Sequence, residues 1–232
     1  MCVSLEQLKE TIRRFRIFKD LGDKEIAPFL EIIKKKKFDD KSMIFMHDNP
    51  ITHVYFVATG KVKVFRNDIA GKEQIVCVKQ PGDMFPHVGF FRKGNYPAHA
   101  QVIEDAELYF ISIQDFEEVL MANPHLAIKL FSVLGDQIVD VQQRLEEMAL
   151  RSTNERILLL LLRLSETHRE EQADGWIKLN TKFTNSDLAN MIGTTRESVN
   201  RMISHLRKEK AIKLVEGSYF IQPERVQEEL SL

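Results

Sequence analysis

The last third of the chain places its apolar residues at helical spacing, in two short runs separated by a glycine. Between residues 185 and 204 these positions share one face of each run: Leu188, Ile192, Val199, Met202 and Ile203. Gly193 can adopt the positive φ that a tight turn between crossed helices requires, and Ala189 allows the two helices to approach closely. The pattern predicts a helix–turn–helix.

The polar face of the second predicted helix carries side chains that suit the reading of DNA bases: Arg196, Glu197, Asn200 and Arg201. Thr194 and Glu197 have the spacing of a capping box, which predicts Thr194 as the N-cap of that helix. A helical hairpin with a merely solvated charged face would show the same charges. Because the core, turn and cap positions all agree, the segment favours DNA binding.

The flanking segments predict the remainder of a winged domain. An apolar helix is expected over residues 154–166, and a short strand over residues 176–179. Residues 168–175 between them are polar, and we expect an exposed loop there. Residues 213–221 predict a β-hairpin, or wing, that turns at Glu216 and Gly217.

A long helix is predicted over residues 125–152. Its apolar residues recur at alternating steps of four and three: Ala127, Phe131, Leu134, Ile138, Val141, Leu145 and Met148. Such a stripe is typical of helices that pair with a second copy, and we favour this reading over burial of the helix against its own domain.

Short β-rich runs between residues 38 and 113 alternate with Gly, Asp and Pro and predict a β-sandwich or barrel. Before them, residues 4–37 predict one or two short helices. The lysine run 34–37 is interpreted as the solvated end of the second helix rather than as a patch that binds a polyanion.

Composition narrows the function class. The 232 residues carry a net charge of -1, which gives no overall sign of affinity for nucleic acid. An excess of positive charge is found locally, in the second predicted helix and the residues after it. Two cysteines, Cys2 and Cys77, are too few for a disulfide framework, a four-cysteine zinc site or an all-cysteine iron–sulfur cluster. The longest apolar run is too short to span a bilayer, and with no secretory signal pattern we expect a cytoplasmic protein. No nucleotide-binding loop or organised nucleophile is apparent, so no enzyme is expected.

The order of these elements resembles the CRP/FNR family of bacterial transcription regulators over essentially the whole chain. The most specific match is Thr-Arg-Glu-Ser-Val-Asn-Arg at residues 195–201, followed by Leu-Arg-Lys at 206–208, and Pro-Gly-Asp-x-Phe at 81–85 supports it. The resemblance implies an α+β fold in three parts: an N-terminal jelly-roll over residues 1–115, a dimerisation helix over 116–152 and a winged helix–turn–helix over 153–232.

The same resemblance implies a homodimer that reads an inverted repeat of double-stranded DNA, with TGTGA-like half-sites. The recognition helix resembles the cyclic-AMP receptor type, which implies that Arg196 and Arg201 bind guanines and Glu197 a cytosine amino group. The implied contacts to the DNA backbone are Ser186, Thr195, Arg207 and Lys208. An activator of this family would touch RNA polymerase, here through residues 168–175, although repression fits the residues equally well.

The family's effector residues are replaced in this chain. His87 stands at the position of the ribose-binding Glu, and Pro97 and Ala98 stand at those of the phosphate-binding Arg and its Ser partner. We therefore do not expect cyclic AMP, because a cyclic phosphate needs that guanidinium. The residues that would form an effector pocket are His87, Tyr96, Pro97, Ala98 and His99.

Haem and redox effectors each have candidate residues in this chain. Haem-based sensors of the family ligate iron through a histidine in the same loop, near His87 and His99, but a structural histidine is the favoured interpretation and no cofactor is expected. Redox sensing through Cys2 or Cys77 remains open, with Cys77 expected to be a buried, inert thiol. The alternative function is a ligand-sensing module whose winged helix binds another protein.

Overall fold

The computed structural model describes residues 5–19, 21–91 and 93–231 and consists of two compact units. One unit comprises Met1–Gly71 and Ile75–Asp140, and the other comprises Lys72–Gln74 and Val141–Leu232. The predicted fold class is confirmed: a sheet-rich N-terminal domain is followed by a long helix and a C-terminal helix–turn–helix domain. No helix within the described residues is long and apolar enough to cross a membrane.

The first unit opens with two short helices, α1 (Leu5–Arg13) and α2 (Asp23–Ile32), as the sequence predicts. Six strands follow: β1 (Lys34–Phe38), β2 (Met43–Phe45), β3 (His53–Asn67), β4 (Glu73–Lys79), β5 (Met84–Phe85) and β6 (His99–Ser112). Their order in the sheet is β1–β6–β3–β4, with β2 beside β6 and β5 beside β3. Helices α3 (Ile113–Ala122) and α4 (Pro124–Leu150) come next.

An aromatic core joins the short helices to one face of this sheet. Phe15 and Phe18 follow α1 and are essentially buried, and the Phe18 ring lies edge-on to that of Phe29 with 4.6 Å between centroids. Edge-to-face pairs of this kind add to the free energy gained by burying the rings. The N-terminal helices are therefore part of the first unit's core and not an appendage.

The interpretation of Lys34–Lys37 as a helix end is wrong. Helix α2 ends at Ile32, and the lysines form β1, which pairs antiparallel with β6 from Lys34 opposite Phe110 to Phe38 opposite Ala106. Lys35 forms an ion pair with Glu107 at 3.2 Å, and its ammonium lies 5.8 Å from the centre of the Tyr109 ring. Lysine has low intrinsic strand preference, so pairing with β6 decides the conformation of this segment.

Strand β3 runs continuously through Gly60. Its φ is +77°, and the register against β6 shifts on both sides of it, as at a β-bulge. A Cβ at this position would lie 2.3 Å from the carbonyl oxygen of Asp105 and 2.6 Å from Cα of Ala106. The neighbouring strand leaves room for glycine alone.

Gly60→Ala should therefore lower the free energy of unfolding by at least about 2 kcal/mol, measured by chemical denaturation. Gly71→Ala is the matched control, because Gly71 has a φ of +78° but nothing within 4 Å of its Cβ position. That variant should lose only about 1 kcal/mol, the cost of a positive φ. Equal losses in the two variants would contradict the close approach of β6.

After the end of α4, the second unit contains α5 (Thr153–Thr167), β7 (Arg169–Glu171), β8 (Ile177–Leu179), α6 (Asn185–Ile192) and α7 (Arg196–Lys208). Strands β9 (Ile212–Val215) and β10 (Ser218–Ile221) form the wing, and α8 (Pro223–Leu230) closes the chain. The sheet order is β7–β8–β10–β9. The wing turns at Glu216 and Gly217, whose φ values of 51° and 80° are those of a tight two-residue hairpin, as the sequence predicts.

Residues 168–175 are not an exposed loop throughout, which corrects that expectation. Residues 169–171 form β7 against β8, and 173–175 form a single 3₁₀ turn. His168 is buried; its Nδ1 lies 2.8 Å from Oγ1 of Thr181, and its ring is edge-on to Phe183. Strand β7 pairs with β8 along one edge only, and its side chains remain exposed. Its sequence is therefore polar throughout and shows no apolar alternation that would predict a strand.

Candidate nucleic-acid interface

Helix α6 begins and ends on local hydrogen bonds. Thr184 caps its start: the Thr184 hydroxyl accepts from the backbone N–H of Asp187 at 3.1 Å, and the Asp187 carboxylate accepts from the N–H of Thr184 at 2.8 Å. Gly193 ends the helix with a φ of +67°, as predicted. Arg156 of α5 adds a hydrogen bond of 3.3 Å to the carbonyl of Ile192.

The cap of α7 is Thr195, so the prediction of Thr194 is wrong. The N–H of Thr194 donates to the carbonyl of Ala189 at 3.0 Å and thus still completes α6. The extended backbone conformation that a cap needs falls one residue later, where Oγ1 of Thr195 accepts from the N–H of Ser198 at 3.2 Å. Sequence spacing alone could not distinguish two adjacent threonines.

The inner faces of α6 and α7 pack as the apolar spacing predicts. Leu188, Val199 and Ile203 are buried, and Ala189 is 2% exposed where the helices meet. Ile192 and Met202 lie at the rim and are partly buried. Leu206 is fully buried and extends this core by one turn. Because these residues occupy one side of α7, its opposite side faces solvent.

That exposed side of α7 carries all four predicted base-reading residues: Arg196, Glu197, Asn200 and Arg201. They lie in the first two turns of the helix, which is the part that enters a major groove in helix–turn–helix proteins. The guanidinium of Arg201 donates to Oγ of Ser198 at 3.3 Å, one turn earlier. The helix thus presents two arginines and one carboxylate together on one exposed face.

The residues predicted to contact the DNA backbone lie at the margins of the same two helices. Ser186 is the second residue of α6 and is exposed, and Arg207 and Lys208 are exposed in the last turn of α7. Thr195 is also exposed, although its hydroxyl already caps α7. In the wing, the Lys213 ammonium lies 4.0 Å from the centre of the Trp176 ring and 5.2 Å from that of Phe220.

Sequence reasoning missed two side chains that contact this face. Asn185, at the start of α6, donates a hydrogen bond from Nδ2 to Oδ1 of Asn200. The hydroxyl of Tyr219, from β10 of the wing, donates to Oδ1 of the same Asn185. No short-range pattern reveals these contacts, since the partners are 15 and 34 residues apart.

The heptad stripe of α4 is largely exposed. Phe131, Ile138, Leu145 and Met148 are 60–72% exposed, and Val141 is 53% exposed. Leu134 is partly buried against the core of the first unit, and the helix turns Leu126 and Leu130 inward. A row of large apolar side chains in water is unfavourable for an isolated chain.

The five candidate effector residues have different surroundings. Tyr96 stacks on Phe45 inside the first unit, with 3.8 Å between ring centroids and 6° between planes. Its hydroxyl accepts from the N–H of His53 at 3.2 Å. His99 accepts from the N–H of His47 at 3.3 Å and stacks on Phe65. Ala98 is buried, and Pro97 is exposed.

His87 follows β5 and is half-buried. Burial lowers its pKa to about 3, and the charges of Lys79 and Arg16 act in the same direction. Its imidazole is therefore neutral at physiological pH. Groups of three or more His, Cys, Asp or Glu that could hold a metal ion are absent among the residues that the structure describes.

The candidate effector residues do not supply the groups that a cyclic nucleotide needs. A cyclic phosphate calls for a guanidinium and backbone amide donors. Pro97, at the position of the phosphate-binding Arg, is exposed and supplies neither a guanidinium nor a backbone N–H, and Ala98, at the position of its Ser partner, has no hydroxyl. These two positions therefore do not fit a cyclic phosphate.

Of the two cysteines, Cys77 lies among the described residues. Cys77 lies in β4 and is intermediate in burial, less enclosed than the sequence predicts, because β4 lies at an edge of the sheet order. Cys2 lies outside the described residues.

Two family models match the chain. Residues 35–123 match a cyclic nucleotide-binding domain, and residues 155–227 match a Crp-like helix-turn-helix domain. The anaerobic regulatory protein of Bacillus subtilis is 27% identical over 208 residues, which are 89% of this chain and 87% of that protein. The cyclic AMP receptor protein of Thermus thermophilus is 24% identical over 93% of this chain and 96% of its own length.

Among solved structures, FixK2 from Bradyrhizobium japonicum superposes with a TM-score of 0.74, covering 85% of this chain and 96% of FixK2 at 19% identity. At that identity the likeness shows the fold. Both domain models match parts of such a regulator, and the relatives are themselves regulators. The exposed face of α7 carries the side chains that such a protein needs to read DNA. The chain belongs to the CRP/FNR family of DNA-binding transcription regulators.

Proposed function

We propose that the protein acts in the cytoplasm as a homodimer that binds an inverted repeat with TGTGA-like half-sites. The observation that carries the proposal is the exposed first half of α7, where Arg196, Glu197 and Arg201 share one face. Arg196 and Arg201 each present a forked donor suited to O6 and N7 of guanine, and Glu197 presents an acceptor for a cytosine amino group.

The dimer is formed by the heptad stripe of α4. Two copies of this helix, packed along residues 131–148, would remove five exposed apolar side chains per chain from water. Each copy then supplies one α7, so that the symmetry of the dimer matches that of the DNA repeat.

The backbone contacts come from the edges of the reading helices. Ser186 near the start of α6, Thr195 at the cap of α7, and Arg207 and Lys208 at its end hold the phosphates and set the register of the reading face. These contacts supply affinity that depends on salt and not on sequence.

The protein activates transcription by touching RNA polymerase with residues 168–175. Support comes from the exposure of residues 169–175, which include the 3₁₀ turn at Ala173–Gly175 between β7 and β8. We expect a signal other than cyclic AMP, since Pro97 and Ala98 supply neither the guanidinium nor the hydroxyl that would hold its phosphate.

Selection of binding sites from random duplex DNA tests the proposal. The purified protein should enrich a two-fold symmetric sequence, with a guanine at two positions of each half-site opposite the arginines. An enriched sequence without symmetry would contradict the dimer, and the absence of any enriched sequence would contradict specific DNA reading.

A further inference from the structure

Three side chains from three separate elements form one hydrogen-bonded chain beside the reading face. Tyr219 comes from β10 and is 3% exposed, Asn185 is the first residue of α6, and Asn200 is exposed on α7. The Tyr219 hydroxyl donates to Oδ1 of Asn185, and Nδ2 of Asn185 donates to Oδ1 of Asn200. We call this set the Tyr219–Asn185–Asn200 relay.

The direction of each hydrogen bond in the relay is given by the atoms that face each other: the Tyr219 hydroxyl meets Oδ1 of Asn185, and Nδ2 of Asn185 meets Oδ1 of Asn200. An amide has a donor end and an acceptor end, so fixing one end of Asn185 fixes the other. Burial raises the pKa of Tyr219, opposed by the charge of Arg207 and assisted by that of Asp187, so the hydroxyl keeps its proton. Its proton goes to Oδ1 of Asn185, which leaves Nδ2 of Asn185 to donate to Asn200.

Asn200 is thereby held in one of two orientations. Its Oδ1 is turned back toward α6, so Nδ2 is the end of the amide that remains for DNA on the exposed side of α7. A freely rotating asparagine can bind adenine with both ends of its amide, accepting from N6 and donating to N7. An asparagine held in this way enters the groove as a donor.

Resting on the DNA-binding function proposed above, we infer that Tyr219 and Asn185 are positioning residues that make Asn200 a reader of hydrogen-bond acceptors. The bases that offer an acceptor without an adjacent amino donor in the major groove are guanine, at O6 and N7, and thymine, at O4. The wing thus contributes to base choice from inside the domain, through a buried tyrosine, in addition to any contact of its own with DNA.

The experiment compares the base preference of four proteins in the selection from random DNA: wild type, Asn200→Ala, Tyr219→Phe and Asn185→Asp. Asn200→Ala identifies the base pair that Asn200 reads, since the preference there should disappear. Tyr219→Phe keeps the buried ring and removes only the hydroxyl. At that same base pair its preference for guanine or thymine should fall by about fivefold or more.

Asn185→Asp provides the sharper outcome, because it reverses the relay without changing its shape. A carboxylate at this position accepts from both Tyr219 and Asn200, so Asn200 must turn its Nδ2 inward and its Oδ1 toward the DNA. The preferred base should change to adenine or cytosine, whose amino groups donate. The added charge weakens binding to every duplex, so the ratio between bases is the quantity to compare.

Far-ultraviolet circular dichroism and thermal unfolding establish that each variant is folded, and an acidic residue in the first turn of α6 is compatible with the helix. Unchanged base ratios in both Tyr219→Phe and Asn185→Asp would overturn the relay while leaving DNA binding intact. A preference that survives Asn200→Ala would overturn it as well. A wild-type protein that selects no sequence would instead overturn the proposed function itself.

Discussion

Leu145→Lys should convert the protein to a monomer and weaken its binding to the full inverted repeat by at least about 100-fold. Leu145 is 61% exposed in the single chain and occupies the middle of the C-terminal half of the α4 stripe. In the proposed dimer two ammonium groups would face each other in an apolar seam, where neither finds an acceptor. Once the chains separate, each half-site is bound alone and the gain from linking them is lost.

The mass of the particle in solution and the affinity for the repeat measure this effect, by light scattering and fluorescence anisotropy. Gln143→Lys is the matched control. Gln143 is exposed on the same helix and lies two positions before Leu145, but it does not belong to the heptad stripe. It adds the same charge and should remain a dimer with full affinity. A dimeric Leu145→Lys protein, or dissociation by both variants, would show that the stripe is not the interface.

Arg196→Ala should reduce affinity for the selected sequence by about tenfold or more and reduce affinity for unrelated DNA far less. One two-pronged contact to guanine contributes about 1–3 kcal/mol of discrimination, and a symmetric dimer loses the contact in both half-sites. The specific and non-specific affinities should therefore converge. The guanine opposite Arg196 should also cease to be preferred in the selection.

Arg169→Ala is the control for charge, since Arg169 is exposed in the same unit but lies on β7, where it pairs with Glu171 at 2.6 Å. Titrations at several salt concentrations separate the two kinds of loss, because loss of a phosphate contact lowers the salt dependence and loss of a base contact does not. If the Arg196→Ala protein kept its full sequence preference, Arg196 would not read a base. If neither protein preferred any sequence, α7 would serve another partner, as in the alternative of a protein-binding winged helix.

Much of the C-terminal domain can be predicted from sequence because its signals are local. The glycine that ends α6, the Glu216–Gly217 turn and the apolar residues of α7 act over a few positions, and the structure agrees with each of them. The errors arose where two local solutions compete. Thr194 and Thr195 could each cap α7, and the hydrogen bond that Thr194 makes to Ala189 decides between them.

Nonlocal partners explain the remaining differences. Lys34–Lys37 has no preference for a strand, and it becomes β1 only because β6, more than 60 residues later, offers a free edge. The effector residues also depend on distant partners: Tyr96 is fixed by Phe45, which the sequence gives no reason to pair with it. A match to a motif gives the position of a residue in the chain. Whether its side chain lines a pocket or packs in the core depends on residues that are distant in sequence.

Local signals in the sequence were enough to predict α4 to α7, the wing and the outward face of α7, because helix periodicity, caps and tight turns depend on residues within a few positions of one another. The stacking of Tyr96 on Phe45 and the hold of Asn185 and Tyr219 on Asn200 are visible in the tertiary structure alone. Those outcomes depend on the packing of segments far apart in the chain, where a hydrogen bond or a ring contact has no signature in the local pattern.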